Sequence, residues 1–154
     1  MDGHWTAAPG EIALYMDAIA ASTQTAGAPA IEMNGSGEIT ILLEDGHYGY
    51  TIRIVNEIRV DGFPTISVVE GSNAGSYEYH NGFILAERGA GSVDAFVELN
   101  GVRIDAADLA DDLFQQYGAF QEAPYDCNGD NPVIHFDVAP GVARFAMKFV
   151  PWVP

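Results

Sequence analysis

Hydrophobic and polar residues alternate most regularly over residues 39–69, on either side of an Asp45-Gly46 pair. An Asp-Gly pair favours a two-residue type I′ turn, because both central residues of that turn need a positive φ. A turn at this place fixes the register of the flanking strands and puts their apolar residues on one side of a hairpin. The predicted pairs on that side are Leu43 with Tyr48, Ile41 with Tyr50 and Ile39 with Ile52.

Similar turn signals recur further along the chain at short spacing. They are Asp61-Gly62, Asn81-Gly82 and Asn100-Gly101. Short alternating segments joined by such turns are typical of an antiparallel meander. The sequence therefore predicts a β-meander over about residues 37–104.

The second turn has a consequence for the two faces of the sheet. It pairs Ile54 with Val69 on one face and Val55 with Val68 on the other, so both faces would be apolar. A bulge near Asn56 could instead shift the alternation. Otherwise, we expect a helix to cover the second face.

Two segments have the periodicity of an amphipathic helix. The first covers about residues 9–22, where Pro9 suits the first turn. The second covers about residues 105–118, with Asp105 as its N-cap and Gly118 at its end. The apolar stripes are Ile12, Tyr15, Met16 and Ile19 in the first segment, and Leu109, Leu113 and Tyr117 in the second.

The last predicted element is a hairpin over about residues 132–150, with Phe136 opposite Phe145. The whole chain, residues 1–154, is expected to form a single α+β domain. Its sheet is a largely antiparallel meander, with one helix at the N-terminus and one before the final hairpin. The pattern leaves open whether the sheet stays open, curls into a partial barrel or splits into two layers.

Charge is the strongest feature of the composition. The 154 residues contain 6 Lys and Arg against 22 Asp and Glu, a formal net charge of −16. Such acidity disfavours direct binding to nucleic acid or to an anionic membrane, and favours a basic partner. Solubility, or adaptation to salt, is the alternative explanation. The N-terminus lacks the basic region of a signal peptide and no apolar run is long enough to cross a bilayer, so we expect a cytoplasmic protein.

No motif for catalysis, metal binding or a cofactor is recognised. Cys127 is the only cysteine, and the four histidines are not spaced as ligand pairs. Residues 126–137 resemble a calcium loop, but Asn131 stands where that loop needs glycine, so an Asx-rich turn is favoured. No nucleophile elbow, P-loop or dinucleotide fingerprint is present. We therefore predict no catalytic residue, no metal and no cofactor, and the sequence favours a protein that is not an enzyme.

The arginines are expected to serve the sheet. Each of three arginines faces a carboxylate in the predicted strand ladders, and such exposed pairs contribute about 0.2–1 kcal/mol each. The predicted pairs are Arg53 with Glu70, Arg103 with Glu98 and Arg144 with Asp137.

A run of acidic residues between Arg103 and Arg144 contains no Lys or Arg. A solvated helix face would explain part of it, but the unbroken sign also creates a large negative field. The leading hypothesis is a small acidic interaction protein, such as an inhibitor, immunity protein or nucleic-acid mimic, that binds a basic protein surface. The residues assigned to this binding face are Asp108, Asp111, Asp112, Glu122, Asp126 and Asp130.

Two alternatives remain open. The chain could be a structural subunit of a larger assembly such as a virion, held together by sheet edges or by its apolar ends. Those ends are Trp5 and the segment 149–154. An enzyme acting on a small molecule, with a site built from distant strands, is the third hypothesis.

Overall fold

The computed structural model describes residues 2–24, 26–106, 122–128 and 131–154. These residues form one helix and nine strands, and most of them lie in strands. In chain order the elements are β1 (Gly3–Ala7), α1 (Glu11–Thr23), β2 (Ile31–Glu44), β3 (His47–Val60), β4 (Phe63–His80), β5 (Phe83–Leu99), β6 (Val102–Asp105), β7 (Ala123–Asn128), β8 (Asn131–Phe136) and β9 (Phe145–Pro151).

The four predicted turns are confirmed. At the first of them φ is 48° at Asp45 and 77° at Gly46, as a type I′ turn requires. The Asp and Asn residues at the other three turns also have positive φ, and each is followed by a glycine with positive φ. The register between β2 and β3 is the predicted one, with Leu43 opposite Tyr48, and it continues without a break to Ile31 opposite Val60.

The sheet closes on itself. Ring neighbours follow chain order from β1 to β5, then β7, β8 and β9, and β9 pairs with β1. β6 lies outside this ring as an extra strand on the end of β5. The protein is thus a closed antiparallel barrel of eight strands with one short helix. The predicted α+β class, a meander sheet with two helices, is wrong.

Two features explain this error. The predicted first helix is confirmed with shifted ends, since α1 covers Glu11–Thr23. The five-residue β1 that precedes it was missed, and it supplies the pairing with β9 that closes the barrel. Asp105, the predicted cap of a second helix, is the last residue of β6 and pairs with Phe96. The rest of that predicted helix lies almost entirely outside the described residues.

Large apolar side chains fill the barrel. Phe149 and Met147 are fully buried, and each such side chain contributes about 1.5–3 kcal/mol on leaving water. An eight-stranded barrel is just wide enough for its interior to be filled in this way. The other fully buried large residues are Ile39, Ile41, Leu43, Ile84, Pro132 and Ile134.

Helix α1 packs across the end of the barrel where β8 ends and β9 begins. Its Tyr15 ring lies against Phe145, with 5.5 Å between ring centroids, and the Tyr15 hydroxyl donates to the Asp137 carbonyl at 2.8 Å. On its other side Met16 lies over Gly35 of β2, where any Cβ would collide with the Met16 side chain. Glycine at this position lets the helix approach the sheet closely.

The strand alternation does not shift at Asn56. Asn56 is buried on the inner face in line with Ile54, while Val55 on the outer face is 37% exposed. The alternative of a bulge near Asn56 is therefore excluded. The expected helix over the second face is wrong at this position, because it would have buried Val55.

Candidate functional site

The structure describes two of the six acidic residues predicted as a binding face. Glu122 precedes β7 and Asp126 lies within it, and both are exposed. Ala123 is buried inside the barrel, so alternation directs Glu122 and Asp126 to the outer surface. The other four, Asp108, Asp111, Asp112 and Asp130, lie outside the described residues.

Two further carboxylates lie beside this pair. Glu78 on β4 is opposite Leu85 of β5, and Glu87 is opposite Ser76. Because Ile84 of β5 is opposite Ala123, the chain brings Glu122 next to Leu85 and hence near Glu78. We call these four exposed residues the acidic face: Glu78, Glu87, Glu122 and Asp126.

Sequence reasoning missed Glu78 and Glu87 as members of this surface. The Asn81-Gly82 turn already implied that both point outward, since it pairs Tyr77 with Ala86 and Tyr79 with Ile84 on the inner side. The turn signal could not predict that β5 lies against β7. That contact consists of only two residue pairs far apart in sequence.

Three of the arginines that the structure describes are engaged by groups of the same chain, and one of them, Arg144, also donates from Nη1 to the Glu122 backbone carbonyl at 3.1 Å. Arg53 bonds Glu70 at 2.9 Å and Arg144 bonds Asp137 at 2.8 Å, which confirms both predicted pairs. Arg103 is opposite Glu98 as predicted, and its guanidinium lies over the Phe96 ring, 3.3 Å from the centroid. Exposed ion pairs of this kind contribute at most about 1 kcal/mol each. The main effect of these ion pairs is that a neighbouring carboxylate neutralises the positive charge of the arginine.

The carboxylates, in contrast, face water. Among the acidic residues that the structure describes, only Glu11 is buried and Glu57 half-buried. Glu11 has a structural role, because its Oε2 accepts a hydrogen bond from the Lys148 backbone N–H at 3.0 Å. Most of the negative charge is therefore available to a partner in solution.

A cluster of tyrosines lines the barrel at the turn between β4 and β5. The Tyr77 and Tyr79 rings meet edge to face at 5.1 Å, and Tyr79 lies 5.2 Å from Tyr125. The Tyr77 hydroxyl donates to Asp2 Oδ1 at 3.2 Å, and the Tyr125 hydroxyl lies 2.8 Å from Cys127 Sγ. Burial first, and neighbouring polar groups second, raise the pKa of all three phenols. They are protonated at neutral pH and cannot act there as phenolate nucleophiles.

The histidines do not converge. His47 is opposite Ser76 on β4, while His80 lies four residues further along that strand, about 13 Å away at the usual rise. His80 contacts the Asn81 side chain instead, at 3.0 Å. No group of three metal-ligating side chains occurs in the part of the chain that the structure describes. The segment that resembles a calcium loop, residues 126–137, contains the end of β7 and the whole of β8, which pair with each other.

A groove separates β2 from the start of α1. Strand β1 pairs with β2 only as far as Thr6 opposite Thr40, whereas on its other edge it pairs with β9 as far as Ala7 opposite Phe149. This divergence opens a space of about 580 Å³, lined mainly by small apolar residues and by the backbone of Gly35 and Gly37. Glu38 is the one charged residue in the lining. Sequence reasoning missed this groove, because it arises where the short β1 stops pairing with β2.

Comparison of the chain with protein-family models and with curated proteins gave no match. Among the described helical residues, none forms a stretch long and apolar enough to cross a membrane. The function must therefore be inferred from the surface itself.

Proposed function

We propose that this protein is a non-catalytic interaction protein that binds a basic surface of another protein through its acidic face. One observation carries the proposal. The carboxylates of the described residues are almost all exposed, whereas Arg53, Arg59 and Arg144 are each bound to a carboxylate of the same chain.

The electrostatic consequence is a negative field that reaches solvent. Outward-pointing carboxylates on three adjacent strands add their potentials, and complementary charge can raise association rates by orders of magnitude at low salt. At about 0.15 M salt the Debye length is about 8 Å, and at 1 M it is about 3 Å. Binding by this face should therefore weaken steeply as salt is added.

Two variants of equal net charge provide the test. The first neutralises the acidic face with Glu78→Gln, Glu87→Gln, Glu122→Gln and Asp126→Asn. The control neutralises four exposed carboxylates elsewhere with Asp17→Asn, Glu32→Gln, Asp61→Asn and Asp94→Asn. Each protein is immobilised and used to capture binding proteins from a cell lysate at 0.05 M and 1 M salt. Association rates of the captured protein are then measured.

The proposal expects capture by the wild type and the control variant at low salt, and its loss in the acidic-face variant. Equal loss in both variants would mean that only overall charge matters, and would overturn the assignment of this face. Capture that persists at 1 M salt in all three proteins would overturn the electrostatic basis.

A second candidate function, a subunit of a larger assembly, is favoured by a separate observation. Apolar side chains at the β3–β4 and β5–β6 hairpin ends are exposed on the same sheet face as Asn56. They are Val60, Phe63, Leu99, Val102 and Ile104, and Phe63 is 77% exposed. If they join subunits, wild-type protein should sediment as an oligomer at micromolar concentration and a Phe63→Ser variant as a monomer. A monomeric wild type would rule this function out.

A further inference from the structure

Part of one edge of β2, over residues 31–39, has no strand partner among the described residues. β3 pairs with β2 along its whole length, whereas β1 pairs with it only between Thr40 and Leu43. Thr6 Oγ1 donates to the Ile39 carbonyl at 3.3 Å, which shows that this carbonyl points away from β3. The backbone N–H and C=O of every second residue point to the same side of a strand. Those of Gly37 and Gly35 therefore point to the same edge as those of Ile39.

The space beside this edge suits an extended chain. The groove runs along Gly35–Glu38, about 10 Å at the usual strand rise, and its volume of about 580 Å³ lies within the range of ligand sites. Its opposite wall comes from Ala7 and Ala8 of the chain leading into α1, and Ile12 and Ala13 of the helix also line it. Because most residues of the lining have small side chains, the groove has room for the side chains of an added strand.

We propose that this edge binds an extended, basic peptide segment of a partner protein as an additional strand, held between β2 and the start of α1. Backbone donors and acceptors at strand spacing recognise another extended backbone, as in other cases of strand addition. Positive charge in the peptide is expected because Glu38 is the charged residue of the lining. The inference relies on the proposed function only for that positive charge.

A second copy of this chain is a poorer occupant than a basic partner. Two chains that each carry a net charge of −16 repel each other, and Glu38 would meet a mostly acidic surface. A basic segment would instead be attracted to the acidic chain and to Glu38. The charge of the chain thus selects between the two occupants.

The test uses two synthetic peptides and two variants of the whole protein. The first peptide is a blocked six-residue chain of alternating Val and Lys, and the second is the same chain N-methylated at alternate residues. Binding is followed through the backbone amide signals in ¹H–¹⁵N NMR spectra. The variant Glu38→Gln is compared with Glu44→Gln, a change at another exposed carboxylate on the same face of β2 but next to the turn.

The inference expects the first peptide to shift the amide signals of Gly35 and Gly37 and to slow their hydrogen exchange. N-methylation removes the hydrogen bonds to the edge and should weaken binding about tenfold. Glu38→Gln should weaken binding about two- to five-fold, as for an exposed ion pair, while Glu44→Gln should leave it unchanged.

Three outcomes would overturn it. Shifts confined to residues around Glu78, Glu87 and Glu122 would show binding to the acidic face alone, and the proposed function would then stand without the groove. Equal affinity for the two peptides would exclude strand addition. A dimer at micromolar concentration that protects Gly35 and Gly37 without any peptide would assign the groove to a second copy.

Discussion

Asn56 provides a test of how the inner face of the sheet is packed, and replacing it with Leu should stabilise the protein. Asn56 is 7% exposed, and its Oδ1 is buried without a hydrogen-bond partner. A buried polar atom that lost its bond to water and gained none in return costs about 1–3 kcal/mol. Leu has a similar branched shape and no polar atom to satisfy.

The size of the effect follows from the surroundings. Asn56 lies between Gly35 of β2 and Ser67 of β4 on the inner face, so its neighbours across the strands are small. Removing the unpaired oxygen should contribute about 1–3 kcal/mol, and any misfit of the added methyl groups subtracts from it. We expect a net gain of about 1–2 kcal/mol in the free energy of unfolding, or about 2–8 °C in Tm for a chain of this size.

Urea unfolding of Asn56→Leu, followed by circular dichroism, measures this change. The midpoint should rise while the slope with denaturant stays constant, because the surface exposed on unfolding is nearly the same. Asn34→Leu is the matched control, since Asn34 is exposed on the neighbouring strand and its replacement should change stability by less than about 0.5 kcal/mol. A midpoint for Asn56→Leu at or below that of the wild type would refute the reasoning, because the amide would then be fully bonded in solution.

Three further changes test the turn, the tail and the helix. Gly46→Val puts a β-branched residue at a φ of 77° and should cost about 1–3 kcal/mol; an unchanged Tm would place the strain elsewhere. Deleting residues 151–154 removes the Trp152 ring, stacked at 4.3 Å on an imidazole of β1, and should lower stability by about 1–2 kcal/mol; a change in sedimenting mass alone would instead indicate a subunit contact. Burial, with the Asp137 charge as a second cause, raises the pKa of Tyr15 from 10.0 to about 12. Between these pH values the unfolded state loses a proton that the folded state keeps, so stability should fall as pH rises. That fall, measured by urea unfolding at pH 8 and pH 11, should be smaller in Tyr15→Phe, and an identical fall would contradict the assignment.

The hairpins could be predicted because their information is local. Asp45-Gly46 has few conformational choices, and once it turns, the register of β2 and β3 is set residue by residue. The side of the sheet on which Glu78 and Glu87 lie follows in the same way from the turn at Asn81-Gly82. Alternation and turn chemistry together therefore fix each strand against its neighbour in sequence.

Closure of the barrel could not be predicted because it depends on pairings between distant segments. β1 and β9 are more than 130 residues apart, and no turn signal connects them. The joint between β5 and β7 has two residue pairs, yet it brings Glu122 beside the β4–β5 hairpin. A surface made of three strands is visible in sequence only after the strands are placed side by side.

The prediction at Asp105 failed for another physical reason. An Asp before an apolar-periodic segment is a common helix cap, and Asp108 strengthened that signal. Val102 to Ile104 also alternate, and they follow directly on the Asn100-Gly101 turn. Pairing with β5 places each residue of this short strand opposite a partner, Asp105 opposite Phe96 among them. Strand pairing therefore overrides the local preference at Asp105.

The short β1 links the closure of the barrel to the groove. If β1 stayed beside β2 beyond Thr6, it would cover the edge at Gly37 and Gly35, and there would be no groove. The start of α1 would also move away from the barrel end that Ile12 and Met16 now cover. Because the chain must turn into α1 at this point, the barrel closes on one side of β1 and leaves an unpaired edge on the other. The unpaired edge is therefore a consequence of how this barrel closes, and a partner segment can use it without any change in the fold.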